Sequence, residues 1–252
     1  MTKASFFFLL LAIISCSSKQ ESKVTLAVAA NMQHAMESLI NEFESTYNIK
    51  VEASSSSSGI LTTQIRQGAP FDIFLSADLN HPNLLYAEGL ASSPEVYAKG
   101  KLILWTVKND ITLDLGINSL LDSGIKKIAL ANAETAPYGF AAAQSLEVSG
   151  LKERLNTKLI IGESISQVNQ YIQSENVDIG FTSQSVLYST YLSYPGTWIP
   201  VPDTLYSPIR QGIVLLNHGK KENLSNSKQF YKFMFSERAK EILSNYGYNV
   251  SQ

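Results

Sequence analysis

Cysteine is almost absent from this sequence, whose 252 residues contain one, Cys16. A single cysteine excludes a disulfide framework within the chain and leaves no thiol nucleophile in the part that follows it. A basic excess is lacking as well: 20 lysine and arginine residues stand against 22 aspartate and glutamate residues, for a net charge of −2. Because nucleic-acid-binding proteins carry a positive excess, we expect no nucleic-acid partner.

The motifs of common enzyme active sites are also missing. The chain has no Gly-x-Ser-x-Gly nucleophile motif and no phosphate loop ending in Gly-Lys-Ser or Gly-Lys-Thr. The three histidines, at 34, 81 and 218, do not cluster with carboxylates at metal-ligand spacing, and we interpret them as surface or capping residues. Asp72 and Asp78 flank the end of a strand-like segment, where we expect turn and cap roles. These absences predict a protein that is not an enzyme and that needs no cofactor.

The N-terminus has the organisation of a secretion signal. Lys3 precedes an apolar run over 6–14, which is too short to span a bilayer comfortably as a helix. The run ends in IISC, which resembles the lipobox of bacterial lipoproteins, with Cys16 as the residue that is lipidated. We therefore expect residues 1–15 to be a lipoprotein signal peptide and the polar residues 16–22 to be a tether.

Strand-like and helix-like segments alternate from residue 23 onward. The apolar run 24–29 is typical of a buried parallel strand, and Met32, Met36, Leu39 and Phe43 then recur at helical spacing. This alternation predicts an α/β fold with mainly parallel sheets, and the length favours two lobes. Further strands are predicted at 49–53, 71–76, 101–106, 127–131, 158–161, 177–182 and 208–216. Further helices are predicted at 60–68, 139–148, 165–173, 224–235 and 237–245.

Four strand-to-helix junctions have the residues of a ligand site, because α/β folds bind ligands where strands end and the following helices begin. None contains lysine or arginine, and they offer hydroxyl or amide groups beside the free N–H groups of positive helix ends. Neutral donors suit a fully ionised tetrahedral oxyanion, whereas a protonated anion also needs an acceptor. Every α/β fold has such junctions, so the prediction depends on all four together. They lie at 29–31, 57–59, 136–139 and 162–165.

Three segments, AVAANMQHAMESLINEFE, SSSSGILTTQIRQGAPFDIFLSAD and ANAETAPYGFAAAQSL, resemble in order and spacing the molybdate-binding proteins of bacterial molybdate ABC importers. The resemblance covers essentially all of 23–252. It implies a class II periplasmic-binding-protein fold, with one lobe from 23–102 plus 205–252, a second from 103–204, and a ligand cleft between them. It also implies a periplasmic protein of the bacterial cell envelope that binds molybdate and tungstate for an ABC permease. With the lipobox-like run at Cys16, we expect this protein to be a lipid-anchored monomer.

The oxyanion contacts of that family, carried over residue by residue, fall on the four junctions. They are Asn31, Ser58, Tyr138 and Ile165, the last two through backbone N–H groups. Molybdenum is then bound only as the oxyanion, through hydrogen bonds. The serine run 54–58 is accordingly predicted to finish a strand and then to form a binding loop, rather than to be a flexible linker.

Further candidates are Ala30 beside Asn31, Ser57 beside Ser58, and Ser183. Some family members carry a tyrosine contact in a Gly-Ile-x-Tyr segment, and the matching segment here places Ser183 at that position. We expect donors from Asn31 and Tyr138 to replace the missing tyrosine hydroxyl.

Two other functions stay open at this point. One is a binding protein for another anion, such as phosphate, sulfate or an organic anion, and Glu134 or Glu163 facing the cleft would favour protonated phosphate. The other is a secreted enzyme on a similar fold, which would need a nucleophile and a base within hydrogen-bonding distance.

Replacing Cys16 tests the predicted anchor. We expect Cys16→Ser to move the protein from the membrane fraction to the soluble extract, because serine cannot accept the thioether-linked lipid. Fractionation of cells that express a tagged protein measures the change, and Ser18→Ala is the matched control that should stay membrane-bound. A Cys16→Ser variant that remains in the membrane fraction like its parent would contradict the lipobox.

Overall fold

The computed structural model describes residues 23–189, 192 and 194–250. Cys16, the predicted signal peptide and the predicted tether lie outside the described residues. The described residues form ten strands and nine α-helices, numbered here in chain order. The strands are β1 (Val24–Ala29), β2 (Val51–Ser56), β3 (Ile73–Leu75), β4 (Glu95–Gly100), β5 (Leu102–Thr106), β6 (Ile128–Ala131), β7 (Leu159–Gly162), β8 (Ile179–Ser183), β9 (Thr197–Pro200) and β10 (Ile209–Leu215). The helices are α1 (Gln33–Tyr47), α2 (Ser58–Arg66), α3 (Asn80–Ala87), α4 (Pro137–Val148), α5 (Lys152–Leu155), α6 (Ile165–Gln173), α7 (Asn217–Glu222), α8 (Leu224–Phe233) and α9 (Glu237–Asn245).

The strands form two five-stranded sheets. The first sheet has the order β2-β1-β3-β10-β4, and the second has the order β7-β6-β8-β5-β9. The chain crosses from the first sheet to the second between β4 and β5, and it returns between β9 and β10. The predicted two-lobe α/β architecture is therefore confirmed.

Each sheet is mixed but mainly parallel, as expected, because four of its five strands run in the same direction. In the first sheet, β1 pairs in parallel with β2 and β3, whereas β10 runs antiparallel to β3 and β4. In the second, β6 pairs in parallel with β7 and β8, whereas β5 runs antiparallel to β8 and β9. In each sheet the antiparallel strand is the one that the chain enters directly after crossing from the other sheet. These strands are β5 in the second sheet and β10 in the first.

The parallel pairs place the four predicted junctions in two adjacent sets. Ala29, the last residue of β1, pairs with Ser56, the last residue of β2. In the second sheet, Ala131 at the end of β6 pairs with Gly162 at the end of β7. The carboxyl ends of parallel strands lie at the same edge of a sheet. The helices that follow these strands therefore begin side by side at that edge.

The C-terminal helices belong to the first sheet. Phe43 of α1 packs against Phe230 and Phe233 of α8, with ring centroids 4.9 and 5.4 Å apart. These rings lie in a core with Met36, Leu39 and Leu243. The segment that follows β10 thus completes the lobe that the N-terminal strand begins.

The expected turn and cap role agrees with the contacts of Asp78 but not with those of Asp72, whose partners are distant in sequence. Asp72 is buried and accepts the Thr25 N–H at 2.9 Å, with His218 Nδ1 at 2.9 Å. Asp78 accepts the backbone N–H of His81 at 3.2 Å, and its other oxygen lies 2.9 Å from His81 Nδ1. Within the described residues, no helix has the length and apolar composition needed to cross a membrane.

Candidate functional site

A small buried cavity lies where residues from both sheets converge. It offers about 10 Å³ to the centre of a water-sized sphere, which is roughly the room that one water needs. The cavity brings together six of the seven predicted contact residues. Its lining residues are Ala29, Ala30, Asn31, Ser57, Ser58, Ala77, Ala136, Pro137, Tyr138 and Ile165.

Helix starts supply the donors around this cavity. Ser58 is the first residue of α2, Tyr138 the second residue of α4 after Pro137, and Ile165 the first residue of α6. Asn31 lies in the 3-10 turn Ala30–Met32 that follows β1. The first N–H groups of a helix have no acceptor within it and lie at its positive end. The site therefore offers converging neutral donors without a cation.

Ser57 and Ser58 have different roles in the cavity wall. Ser58 Oγ accepts the Ala77 N–H at 3.0 Å, so this hydroxyl also fixes the end of β3. Ser57 is only 3% exposed, and its Oγ has no hydrogen-bond partner among the described residues. Because a buried unpaired hydroxyl is unfavourable, Ser57 Oγ is a donor that a bound anion would satisfy. The family resemblance ranks Ser58 before Ser57, but of these two serines only Ser57 has a hydroxyl without a partner.

The Asn31 side chain is directed into the first lobe. Its Nδ2 donates to Gln211 Oε1 at 2.9 Å and to the Tyr248 hydroxyl at 3.1 Å. Both donor hydrogens of this amide are therefore used. The Asn31 carbonyl accepts the Tyr248 hydroxyl at 2.7 Å and the Ser185 hydroxyl at 2.8 Å. The donor that Asn31 has left is its backbone N–H.

The Tyr138 hydroxyl is buried and, like that of Ser57, has no hydrogen-bond partner among the described residues. It lies so close to Gly100, at the end of β4, that a Cβ added there would meet it at 1.9 Å. That donors from Asn31 and Tyr138 replace the missing tyrosine hydroxyl stays a prediction. Both amide hydrogens of Asn31 are used within the first lobe, so its remaining donor is the backbone N–H. Tyr138 contributes its backbone position at the start of α4.

Ser183 is the one predicted contact that the structure does not bring to the cavity. It is buried, and its hydroxyl lies 2.8 Å from the Ser185 hydroxyl. Ser185 in turn donates to the Asn31 carbonyl. Because β8 ends at Ser183 and the chain then turns into a 3-10 helix, this position supports the cavity wall from behind.

One lining residue, Ala77, lies outside the four predicted junctions. Because it follows β3 closely, its place after a strand end was a positional signal. Gln211 and Tyr248, which hold Asn31, had none, because they lie 180 and 217 residues away from it.

No charged side chain among the described residues lines the cavity. Glu134 and Glu163 are both exposed, and Glu134 lies instead in a wider neighbouring groove of about 550 Å³ that also has Asp78 and Arg210. Nor does the described part of the chain contain a group of three or more histidine, cysteine, aspartate or glutamate residues placed to hold a metal ion. The cavity therefore suits an anion held by hydrogen bonds alone.

Tyrosines form a second buried polar layer beneath the cavity. The Tyr97 hydroxyl donates to Gln211 Oε1 at 2.9 Å, next to the bond from Asn31. Burial raises the pKa of Tyr97 and of Tyr138 well above the ordinary tyrosine value, and nearby Tyr248 adds to the effect. Burial also raises the pKa of Tyr206 to about 12. These hydroxyls stay neutral in the folded protein over the physiological range of pH.

Fold and cavity together define a two-lobed solute-binding protein, and the comparisons agree. The profile of the family "Bacterial extracellular solute-binding protein" matches residues 24–249. The chain belongs to this family. It is 36% identical to the molybdate-binding protein ModA of Azotobacter vinelandii over 94% of each chain, and 36% identical to ModA of Rhodobacter capsulatus over 90% of this chain and 88% of that protein. The solved structure of the periplasmic molybdate-binding protein of Azotobacter vinelandii superposes with a TM-score of 0.86 at 30% identity, covering 91% of this chain and all of that one.

The buried tyrosines predict a loss of stability at high pH. Each tyrosine whose folded pKa is raised keeps its proton above pH 10 while the unfolded chain loses its own, so the free energy of unfolding falls as pH rises. One such tyrosine contributes about 1.4 kcal/mol per pH unit between its unfolded and folded pKa values. Tyr138→Phe should reduce the slope by about half a proton on average between pH 9 and 11, as measured by urea unfolding, because an unfolded tyrosine titrates near pH 10. Tyr86→Phe, at an exposed position, is the control. Equal slopes for parent and Tyr138→Phe would contradict the assignment.

Proposed function

We propose that this protein binds molybdate, and tungstate as well, in the buried cavity and delivers it to an ABC importer permease. One observation carries the proposal: a cavity of neutral donors from both lobes includes the unpartnered Ser57 hydroxyl. The two relatives that are 36% identical to this chain are named molybdate-binding proteins. Molybdenum enters as the oxyanion, and no catalytic step is part of the proposal.

In this proposal the anion lies among five donors. Asn31, Tyr138 and Ile165 offer backbone N–H groups, Ser57 offers its hydroxyl, and Ser58 offers its N–H at the start of α2. Ala30 lines the cavity, but its side chain has no hydrogen-bond donor. Molybdate is a doubly charged tetrahedron near neutral pH and only accepts hydrogen bonds, so a shell made of donors matches it without a counter-charge. Helix ends supply the favourable electrostatic field.

The two lobes are proposed to be 23–102 plus 205–252 and 103–204, with the anion closing the cleft between them. The residues around the cavity are almost completely buried, with Asn31 at 4% and Ser58 at 1% exposure. A ligand cannot enter such a site unless the lobes separate. We therefore propose an open state that admits the anion and a closed state that the anion stabilises.

The cellular setting follows from the family and from the N-terminal sequence. The family is one of extracellular solute-binding proteins, which places the folded part outside the cytoplasm. We propose in addition that Cys16 carries a lipid, that 16–22 tethers the protein to the membrane, and that it acts as a monomer. A soluble periplasmic form is the alternative to the anchor.

Phosphate and sulfate are the competing ligands. The two carboxylates that would favour protonated phosphate, Glu134 and Glu163, are exposed and lie outside the cavity lining. A phosphate proton would therefore meet another donor. Sulfate is fully ionised like molybdate, so only its smaller size separates the two. The donor shell favours molybdate over both.

Titration of the purified protein with four oxyanions tests this ranking. Molybdate and tungstate should bind tightly, and sulfate should bind roughly a thousandfold more weakly. A smaller anion leaves two or three buried donors stretched, each costing on the order of 1–3 kcal/mol. Phosphate should bind more weakly still. Isothermal titration calorimetry in one buffer gives all four affinities. Binding of sulfate or phosphate within tenfold of molybdate would indicate a general anion carrier.

The serine run offers a matched pair of variants for the site itself. Ser57→Ala should weaken molybdate binding about ten- to hundredfold, because it removes one hydrogen bond to a charged group. Ser54→Ala changes an exposed serine of the same run and should leave the affinity unchanged. Ser57 is preferred to Ser58 because Ser58 also holds the Ala77 N–H. Equal affinities of the two variants would remove Ser57 from the site.

A further inference from the structure

Hydrogen bonds between the lobes surround the cavity. Each joins a residue of the first lobe to one of the second, and each lies within a few residues of a proposed ligand contact. The three bonds are Gly59 N–H to Thr135 O at 2.8 Å, Ser185 Oγ to Asn31 O at 2.8 Å, and Ser166 Oγ to Gln33 Oε1 at 3.0 Å.

At Gly59 the backbones of the two lobes come close together. A Cβ built on Gly59 would lie 2.9 Å from Thr135 Cα, 3.0 Å from its carbonyl oxygen and 3.1 Å from its Cβ. Two of these three atoms are backbone, which cannot turn aside as a flexible side chain can. The backbone of Thr135 can therefore lie where it does only because residue 59 has no side chain.

Local conformation does not explain this glycine. Gly59 is the second residue of α2, and it is not among the residues with a left-handed φ. Glycine within a helix is less favourable than alanine by about 0.5–1 kcal/mol. The helix alone would thus favour alanine, and the contact with the other lobe is what requires glycine.

We propose that Gly59 is a positioning residue that sets how closely the two lobes approach and thereby the size of the anion cavity. The inference depends on the proposed function, since it concerns the same cavity. Gly59 follows Ser58 directly, and Thr135 lies three residues before Tyr138. A change of spacing at the Gly59–Thr135 contact is therefore passed to the donors on both sides of the cavity.

The size of the effect follows from the contact distances. To bring the added Cβ from 2.9 Å to ordinary van der Waals contact, Thr135 must move back by about 0.5 Å. The same movement stretches the 2.8 Å bond from the Gly59 N–H beyond the usual hydrogen-bond range. Donors on α2 and α4 then no longer reach one anion together, and the closed state holds the ligand less well.

Gly59→Ala in the otherwise unchanged protein tests the proposal. We expect at least a tenfold weaker molybdate affinity, chiefly through faster dissociation, because the closed state is the one that is lost. The decrease in radius of gyration on adding molybdate, measured by small-angle X-ray scattering, should be smaller than in the parent. The melting temperature without ligand should be equal or higher, because alanine favours the helix. A merely structural role would lower that temperature instead.

Gly124→Ala is the matched control, since its added Cβ would meet only the Asp122 carboxylate, at 3.2 Å. Its affinity and compaction should equal those of the parent. Gly59→Ser should weaken binding at least as much as Gly59→Ala, in keeping with a steric cause. A Gly59→Ala protein with parental affinity and parental compaction would overturn the proposal.

The same series separates this inference from the proposed ligand. If the parent binds sulfate or phosphate in preference to molybdate, the proposed ligand is wrong, while the effect of Gly59→Ala on the preferred anion still tests the spacing. If the parent and Gly59→Ala bind molybdate equally tightly, the proposed ligand is supported and the proposed role of Gly59 is wrong.

Discussion

Buried N–H groups without acceptors are the constraint on which the rest of this structure depends. Helices α2, α4 and α6 all begin at one cavity, and the first N–H groups of a helix have no acceptor within it. Water satisfies them while the cleft is open, but enclosure removes water and makes each unpaired donor costly. No carboxylate among the described residues lines the cavity to replace it. In the proposed function, an anion that only accepts hydrogen bonds therefore makes closure favourable, and binding and closure occur together.

A second requirement is that the donors keep their positions when the cavity is empty. Asn31 meets it through its side chain, which is bonded to Gln211 and Tyr248. Its carbonyl receives a further bond from Ser185 of the second lobe. Asn31 is thus held by residues of both lobes that are distant from it in sequence. A rigid donor loses little conformational freedom when the ligand arrives, which favours affinity.

Much of this arrangement was predictable from local sequence, and the rest depended on contacts over long distances. The strand ends, Pro137 and the serine run marked the junctions, because capping and turn chemistry are local properties. The strands β4 and β9 and the helices α3 and α7 were missed, since they are short and partly exposed and therefore lack a clear hydrophobic period. Ser183 was misplaced because a motif fixes its position in the chain but not the direction of its side chain. The partners of Asn31 were unpredictable, since no local rule pairs residues 180 positions apart.

The order of strands has a consequence for how the protein is made. The strands of the second sheet come from one continuous stretch, 102–200, whereas the first sheet lacks β10 until residue 215 has joined it. The aromatic core of the first lobe is likewise incomplete until Phe230 and Phe233 have joined it. A chain that emerges N-terminus first can thus assemble its second lobe while the first is still incomplete, with the edge of β3 unpaired. Until the C-terminal residues join the fold, this unpaired edge is the part of the structure most prone to aggregation.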